Sequence, residues 1–160
     1  MDFQCPYCKR FHSQTFPNLK NLYIDKGKVR FYVVDLPLDI HPQAMLAAQA
    51  GQCAADQGKF WSVHDLMEEE AAPLERSKIS ELAAKADIEM SAFNKCLADA
   101  RHEASIKSGV AAFFKLGIHA TPTFIIGKST PTGVEGELLV GAMPLGAFQQ
   151  KIESIVGSTP

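Results

Sequence analysis

Two cysteines near the amino terminus, Cys5 and Cys8, are separated only by Pro6 and Tyr7. A C-x-x-C pair supports two chemistries, half of a zinc site or a thiol–disulfide couple. Zinc would need two further ligands, usually a second closely spaced pair of Cys or His. Cys53 and Cys96 stand apart from each other, and His12 is about a turn beyond Cys8 on the same segment. We therefore assign no metal. The redox reading suits the placement better. Cys5 at a helix N-cap would meet unpaired N–H groups and the positive end of the helix dipole, which favour a thiolate. Cys8, one turn deeper on the same face and less exposed, would be within disulfide reach. Cys5 is then the attacking sulfur and Cys8 the resolving one, with uncharged Pro6 and Tyr7 tuning the pair.

A second signal lies far along the chain, in Ala120-Thr121-Pro122-Thr123-Phe124-Ile125-Ile126-Gly127. Pro122 has two readings. It is either an ordinary proline opening a strand, or a cis-proline that sets the Thr121 backbone beside the disulfide to bind extended substrate. Gly127-Lys128-Ser129 ends like a phosphate loop, but Pro122 stands where the first glycine belongs and a hairpin follows instead of a helix.

These residues need elements to position them. Cys5 to about Ile24 reads as one helix kinked at Pro17, with Phe11, Thr15, Leu19, Leu22 and Tyr23 as its buried stripe. Val29–Leu36 is almost continuously apolar and β-branched, the pattern of a strand buried on both faces of a parallel sheet. From Pro42 to Gly117 the chain reads as helices: Pro42–Gln57, Phe60–Glu70, two with N-caps at Ser77 and Ser91, and Glu103–Leu116. Strands at Thr123–Ile126 and Glu137–Val140 flank a turn-rich Gly127–Gly136, and Pro144–Val156 closes as a helix.

Composition narrows the class. The 160 residues carry 16 Lys plus Arg against 18 Asp plus Glu, a net charge of -2, so there is no overall basic field for nucleic acid. No apolar run reaches the roughly 18 residues of a membrane span, and the first residues lack the pattern of a signal peptide. Four cysteines are too few for a disulfide-dense scaffold.

The chain resembles the DsbA-like branch of the thioredoxin superfamily, which catalyses thiol–disulfide exchange. The matching stretches are Asp2-Phe3-Gln4-Cys5-Pro6-Tyr7-Cys8, Phe60-Trp61-Ser62-Val63-His64-Asp65-Leu66 and Gly117-Ile118-His119-Ala120-Thr121-Pro122-Thr123-Phe124, with the Ala-rich stretch around Cys53 and with Phe93-Asn94-Lys95-Cys96-Leu97. The resemblance implies an α/β, thioredoxin-like core over 1–37 and 119–160 with an all-helical insertion over 38–118. It implies Cys5 as nucleophile, Cys8 as resolving cysteine, Thr121 and Pro122 as substrate-binding residues and Pro122 as cis-proline. It further implies a dithiol oxidase outside the cytoplasm, in the periplasm or an equivalent compartment. Cysteine-containing polypeptides would be its substrates, no cofactor would be needed, and a membrane redox partner would reoxidise it. A reductase or isomerase of the same fold, or a redox-inert peptide-binding module, are the alternatives. The family has a central strand directly before the Asp-Phe-x-Cys segment, so the first central strand is expected to be missing here. Either the numbering begins partway through a longer protein, which is the expectation, or another chain fills the gap.

Of the remaining residues, Cys53 and Cys96 lie on apolar helix faces and read as buried thiols, or, as in some relatives, as a structural disulfide. His64 shares a face with Phe60 and Met67 and reads as a packed core histidine. His12 reads as a surface position, His102 and His119 as unpartnered, and Glu68-Glu69-Glu70 as a solvated helix end.

Overall fold

The computed structural model describes residues 1–157. Helix α1 (Pro6–Gln14) starts with Pro6 in its first turn, where the missing N–H leaves no bond unmade, and Cys5 is its N-cap. The single helix expected to Ile24 is broken into α1, α2 (Phe16–Leu19) and a π-helical turn over Lys20–Ile24. Pro17 accounts for the break, because it offers no N–H to the Ser13 carbonyl and crowds it. The wider π turn also shifts the buried stripe. Phe11, Thr15, Leu19 and Tyr23 are buried as expected, but Leu22 is carried to the surface.

Val29–Leu36, expected as a strand, forms none. A strand persists only where a neighbour completes its ladder. Among the described residues Met1 supplies such bonds: its amino group donates to the Val34 carbonyl, and its carbonyl accepts from Leu36 N–H at 2.7 Å. Tyr32 and Val34 are exposed, whereas Asp35 and Leu36 are buried.

The helical block comprises α3 (Ala44–Ala55), α4 (Phe60–Glu69), α5 (Arg76–Lys85), α6 (Met90–Ala98) and α7 (Glu103–Lys115). Ser77 and Ser91 are not the N-caps. Glu75 and Glu89 hold those places, and the Glu89 carboxylate accepts from the N–H groups of Ser91 at 2.8 Å and Ala92 at 2.7 Å. A carboxylate caps by the same geometry and adds a favourable charge at the dipole's positive end. Helix α3 touches all four of the others, and its small residues permit that approach. At Gly51 an added Cβ would sit 3.3 Å from the Phe60 ring and 3.6 Å from the Phe3 ring. Phe3 thereby enters the core formed by Val63, Met67, Ile79 and Phe93.

A second core gathers Phe11, Leu19, Tyr23, Phe148 and Ile152, with Phe124 against it. Its sheet is a hairpin of β1 (Thr123–Thr130) and β2 (Gly133–Val140), antiparallel and in register from Thr123↔Val140 to Thr130↔Gly133. The strands run further than expected because Gly127 and Gly136 pair inside the ladder instead of forming the turn. A Cβ on either would fall 2.0 Å from the Glu135 carbonyl oxygen or 2.1 Å from that of Ile126. Helix α8 (Leu145–Val156) closes this core, and the Tyr23 hydroxyl donates to Glu153 at 2.6 Å.

Cys53 on α3 and Cys96 on α6 are joined in a disulfide, with Cα atoms 5.9 Å apart and a sequence separation of 43. Closing a loop of that length removes about 4 kcal/mol of unfolded-chain entropy in the simplest model. A Cys53→Ala/Cys96→Ala variant should therefore lose about 2–4 kcal/mol in urea unfolding, relative to the oxidised parent. An unchanged midpoint and slope would show that the bond does not restrain the unfolded chain.

Candidate active site

The segment before the cysteines is fixed by a buried carboxylate. Asp2 accepts from the N–H of Gln4 at 2.8 Å through Oδ1, and from the N–H of Leu38 at 2.9 Å and His41 Nδ1 at 2.7 Å through Oδ2. Gln4 Oε1 accepts from the N–H of Gln43. These contacts tie residues 2–4 to the loop leading into α3, so the chain arrives at Cys5 with little freedom. The Asp2–His41 pair spans 39 positions, too far apart for the sequence to announce it.

Cys5 and Cys8 are free thiols and equally buried, so Cys8 is not the less exposed of the two. Cys5 is covered from the far end of the chain, where the Thr121–Pro122 peptide bond is cis and the Thr121 carbonyl accepts from Cys5 Sγ at 3.3 Å. The Pro122 carbonyl accepts from Gly141 N–H at 2.8 Å, which holds that segment to the end of the hairpin. Tyr7 projects outward, more than half exposed, with the Arg10 guanidinium 4.9 Å from its ring centre.

The electrostatics separate the two sulfurs. The Cys8 thiol donates to the Cys5 sulfur and is the main reason the Cys5 pKa falls to about 5. Burial opposes this shift, and Thr121 and the N–H groups of Cys8 and Tyr7 reinforce it. The buried Thr121 Oγ1 has no hydrogen-bond partner. It can donate to Cys5 once the sulfur is ionised. Cys8 moves the opposite way, raised first by the same hydrogen bond and then by burial. The arrangement yields a ready thiolate at Cys5 and a protonated reserve thiol at Cys8.

Helix α4 flanks the pair. His64 is buried among Phe3, Phe60 and Trp61 and donates from Nδ1 to Asp65 Oδ1 at 2.8 Å, as a packed core histidine should. His12 is not a plain surface residue. It stacks on Phe16, meets His64 with ring centres 5.3 Å apart, and lies 4.0 Å from Asp65. Burial, then the neighbouring His64, lower its pKa. His102 and His119 also have partners, Asp56 at 2.9 Å and the Phe114 ring at 4.8 Å. The expectation of a solvated Glu68–Glu70 end fails at Glu68, which is buried. It falls one turn after His64 and beside Met67, on the face that α4 turns inward.

Comparison with known proteins places this geometry. A sequence model described as thioredoxin matches residues 1–134. The Na(+)/H(+) antiporter NhaA 3 of Salinispora tropica is 34% identical over 148 residues, 92% of this chain but 22% of that protein. The probable disulfide bond formation protein D of Bacillus anthracis is 41% identical over 66 residues, 40% of this chain and 30% of that one. The chain thus spans less than a third of the length of either relative. The crystal structure of alpha-DsbA1 from Wolbachia pipientis superposes with a TM-score of 0.83 at 26% identity, covering 98% of this chain and 83% of that one. The fold is thioredoxin-like, and the chain belongs to the thioredoxin superfamily, in its DsbA-like branch.

Proposed function

We propose that this chain is a dithiol oxidase that donates a Cys5–Cys8 disulfide to cysteine-containing polypeptides. The observation that carries the reading is the stabilised Cys5 thiolate, with a pKa near 5. Whatever stabilises the thiolate stabilises the reduced pair, and a couple with a stabilised reduced form is a strong oxidant. A substrate thiolate attacks Cys5 Sγ, the Cys5–Cys8 bond breaks, and Cys8 leaves to become a thiol. A second substrate thiolate then attacks the substrate sulfur of the mixed disulfide, releasing oxidised substrate and the Cys5 thiolate. Thr121 and Pro122 would hold the substrate backbone in extended form beside the sulfur. A membrane redox partner would accept the electrons, in an extracytoplasmic compartment that keeps disulfides formed. Among the described residues no helix is long and apolar enough to cross a membrane. The division into 1–37 with 119–160 and an inserted 38–118 is supported by the two separate apolar cores.

Alkylation of the reduced protein should rise with pH through about 5 and level off above it, followed as Cys5 modification by iodoacetamide. A midpoint near the ordinary thiol value would remove the basis for the oxidase. The same shift has a stability consequence. Cys5 is ionised at lower pH when folded than when unfolded, so the reduced chain gains stability relative to the oxidised chain as pH rises from about 5 toward 9. That gain is lost as pH falls through about 5, and denaturant unfolding of both forms across the range reads it.

The direction of exchange is set by the potential. Equilibration in glutathione buffers should give a value near the roughly -120 mV of a strong oxidant, and Cys5→Ser should abolish exchange. A value near -270 mV would make the protein a reductase instead.

A further inference from the structure

Glu68 is a buried acid that the exchange steps above leave unused. Both of its carboxyl oxygens are out of contact with solvent and have no hydrogen-bond partner. Buried polar groups are ordinarily paired, and an unpaired carboxylate is expensive to keep ionised. Its surroundings tie it to the cysteines. Helix α4 packs on α1, and Lys9, the residue after Cys8, lays its ammonium on the carbonyl oxygens of Met67 and Glu70, either side of Glu68 in the chain. From the amino-terminal segment, the Cys5 thiolate and the Asp2 carboxylate favour the protonated acid, whereas the Met1 amino group and Lys9 favour the carboxylate. On α5, Lys78 is engaged with Glu81 and Glu70, and α3 carries no ionisable side chain besides the disulfide-bonded Cys53. His64, Asp65 and Glu69, with Glu70 at its C-cap, complete the charged or titratable groups of α4.

We propose that Glu68 is a redox-linked proton acceptor, protonated when the Cys5–Cys8 disulfide is reduced and released when it is reformed. This rests on the reading of the pair as an exchanging couple. The balance is complete: two substrate thiols and the disulfide, with Glu68 as carboxylate, become oxidised substrate, a Cys5 thiolate, a Cys8 thiol and Glu68 as carboxylic acid. Two electrons enter the sulfurs, and of the two protons one goes to Cys8 and one to Glu68. Net charge within the site is unchanged, because the negative charge leaves Glu68 as it appears on Cys5. In the reduced protein burial, aided by the Cys5 charge, raises the Glu68 pKa to about 8, and losing that charge on oxidation lowers it.

The test is the pH dependence of the Cys5–Cys8 potential between pH 6 and 9, in glutathione buffers, for the wild type and Glu68→Gln. The wild type should take up more than one proton per electron pair, approaching two where Glu68 titrates differently in the two redox states. Glu68→Gln should take up one throughout. Carbon-13 NMR titration of the Glu68 carboxyl in wild type supplies a reading that needs no variant, with a midpoint higher in the reduced protein. Equal proton uptake in both proteins, or a midpoint unmoved by reduction, would overturn the role of Glu68 while leaving the exchange reading intact. A pair that fails to equilibrate with glutathione at all would overturn the exchange reading itself.

Discussion

A negative charge on a buried sulfur is the constraint on which the rest of the arrangement depends. Cys5 is almost wholly enclosed, and enclosure alone would keep its thiol protonated. The charge is held because donors converge on it from two distant parts of the chain. The first turn of α1 brings the Cys8 thiol and two main-chain N–H groups, and the segment before β1 brings Thr121. The donors from α1 follow from local sequence, since Pro6 starts the helix and leaves Cys5 as its cap. Thr121 arrives only if the hairpin and α8 pack on α1, so the core around Phe11, Phe124 and Phe148 serves the sulfur directly.

The cysteine segment is held from both sides. Phe3, two residues before Cys5, lies in the helical core, and Phe11, three residues after Cys8, lies in the other. Between them the chain has few ways to move, because Asp2 fastens it to the loop before α3 through main-chain and histidine donors. Hydrogen bonds to a charged acceptor are stronger than neutral ones, which suits a clamp at the start of a reactive turn. The Cys53–Cys96 bond joins α3 to α6 within the helical core. It braces the surface on which Phe3 and α4 rest.

What was legible in the sequence was what is local. The Cys5-Pro6-Tyr7-Cys8 turn needs only a cap and a helix, and α8 and the helices of the block declare themselves by apolar period. Val29–Leu36 has the composition of a strand, but a strand is a property of its neighbours, and composition does not supply the partner. Asp2 with His41 and Asp56 with His102 are pairs made by tertiary packing across 39 and 46 positions. Glu68 is more instructive. Three glutamates in a row suggest solvent, yet the spacing of His64, Met67 and Glu68 places the first of them on the buried stripe. At that position helical period is a better guide than residue type.

The inward face of α4 carries two buried polar residues, and the contrast between them is informative. His64 is enclosed by aromatic rings and its Nδ1 has Asp65, so packing accounts for it. Glu68, one turn on, has neither partner nor water contact. The other buried side-chain oxygens left unpaired among the described residues are those of Thr121 and Asp35. Thr121 Oγ1 can donate to Cys5 when that sulfur is ionised, and this hydrogen bond is one of those that lower the Cys5 pKa. Unpaired buried polar atoms are expected where a charge comes and goes, since a site fully satisfied in one state would resist the other. On that argument the unpaired atoms of Thr121 and Glu68 belong to the same device. One supplies a hydrogen bond to the charge when it appears, and the other surrenders a charge of its own to make room for it.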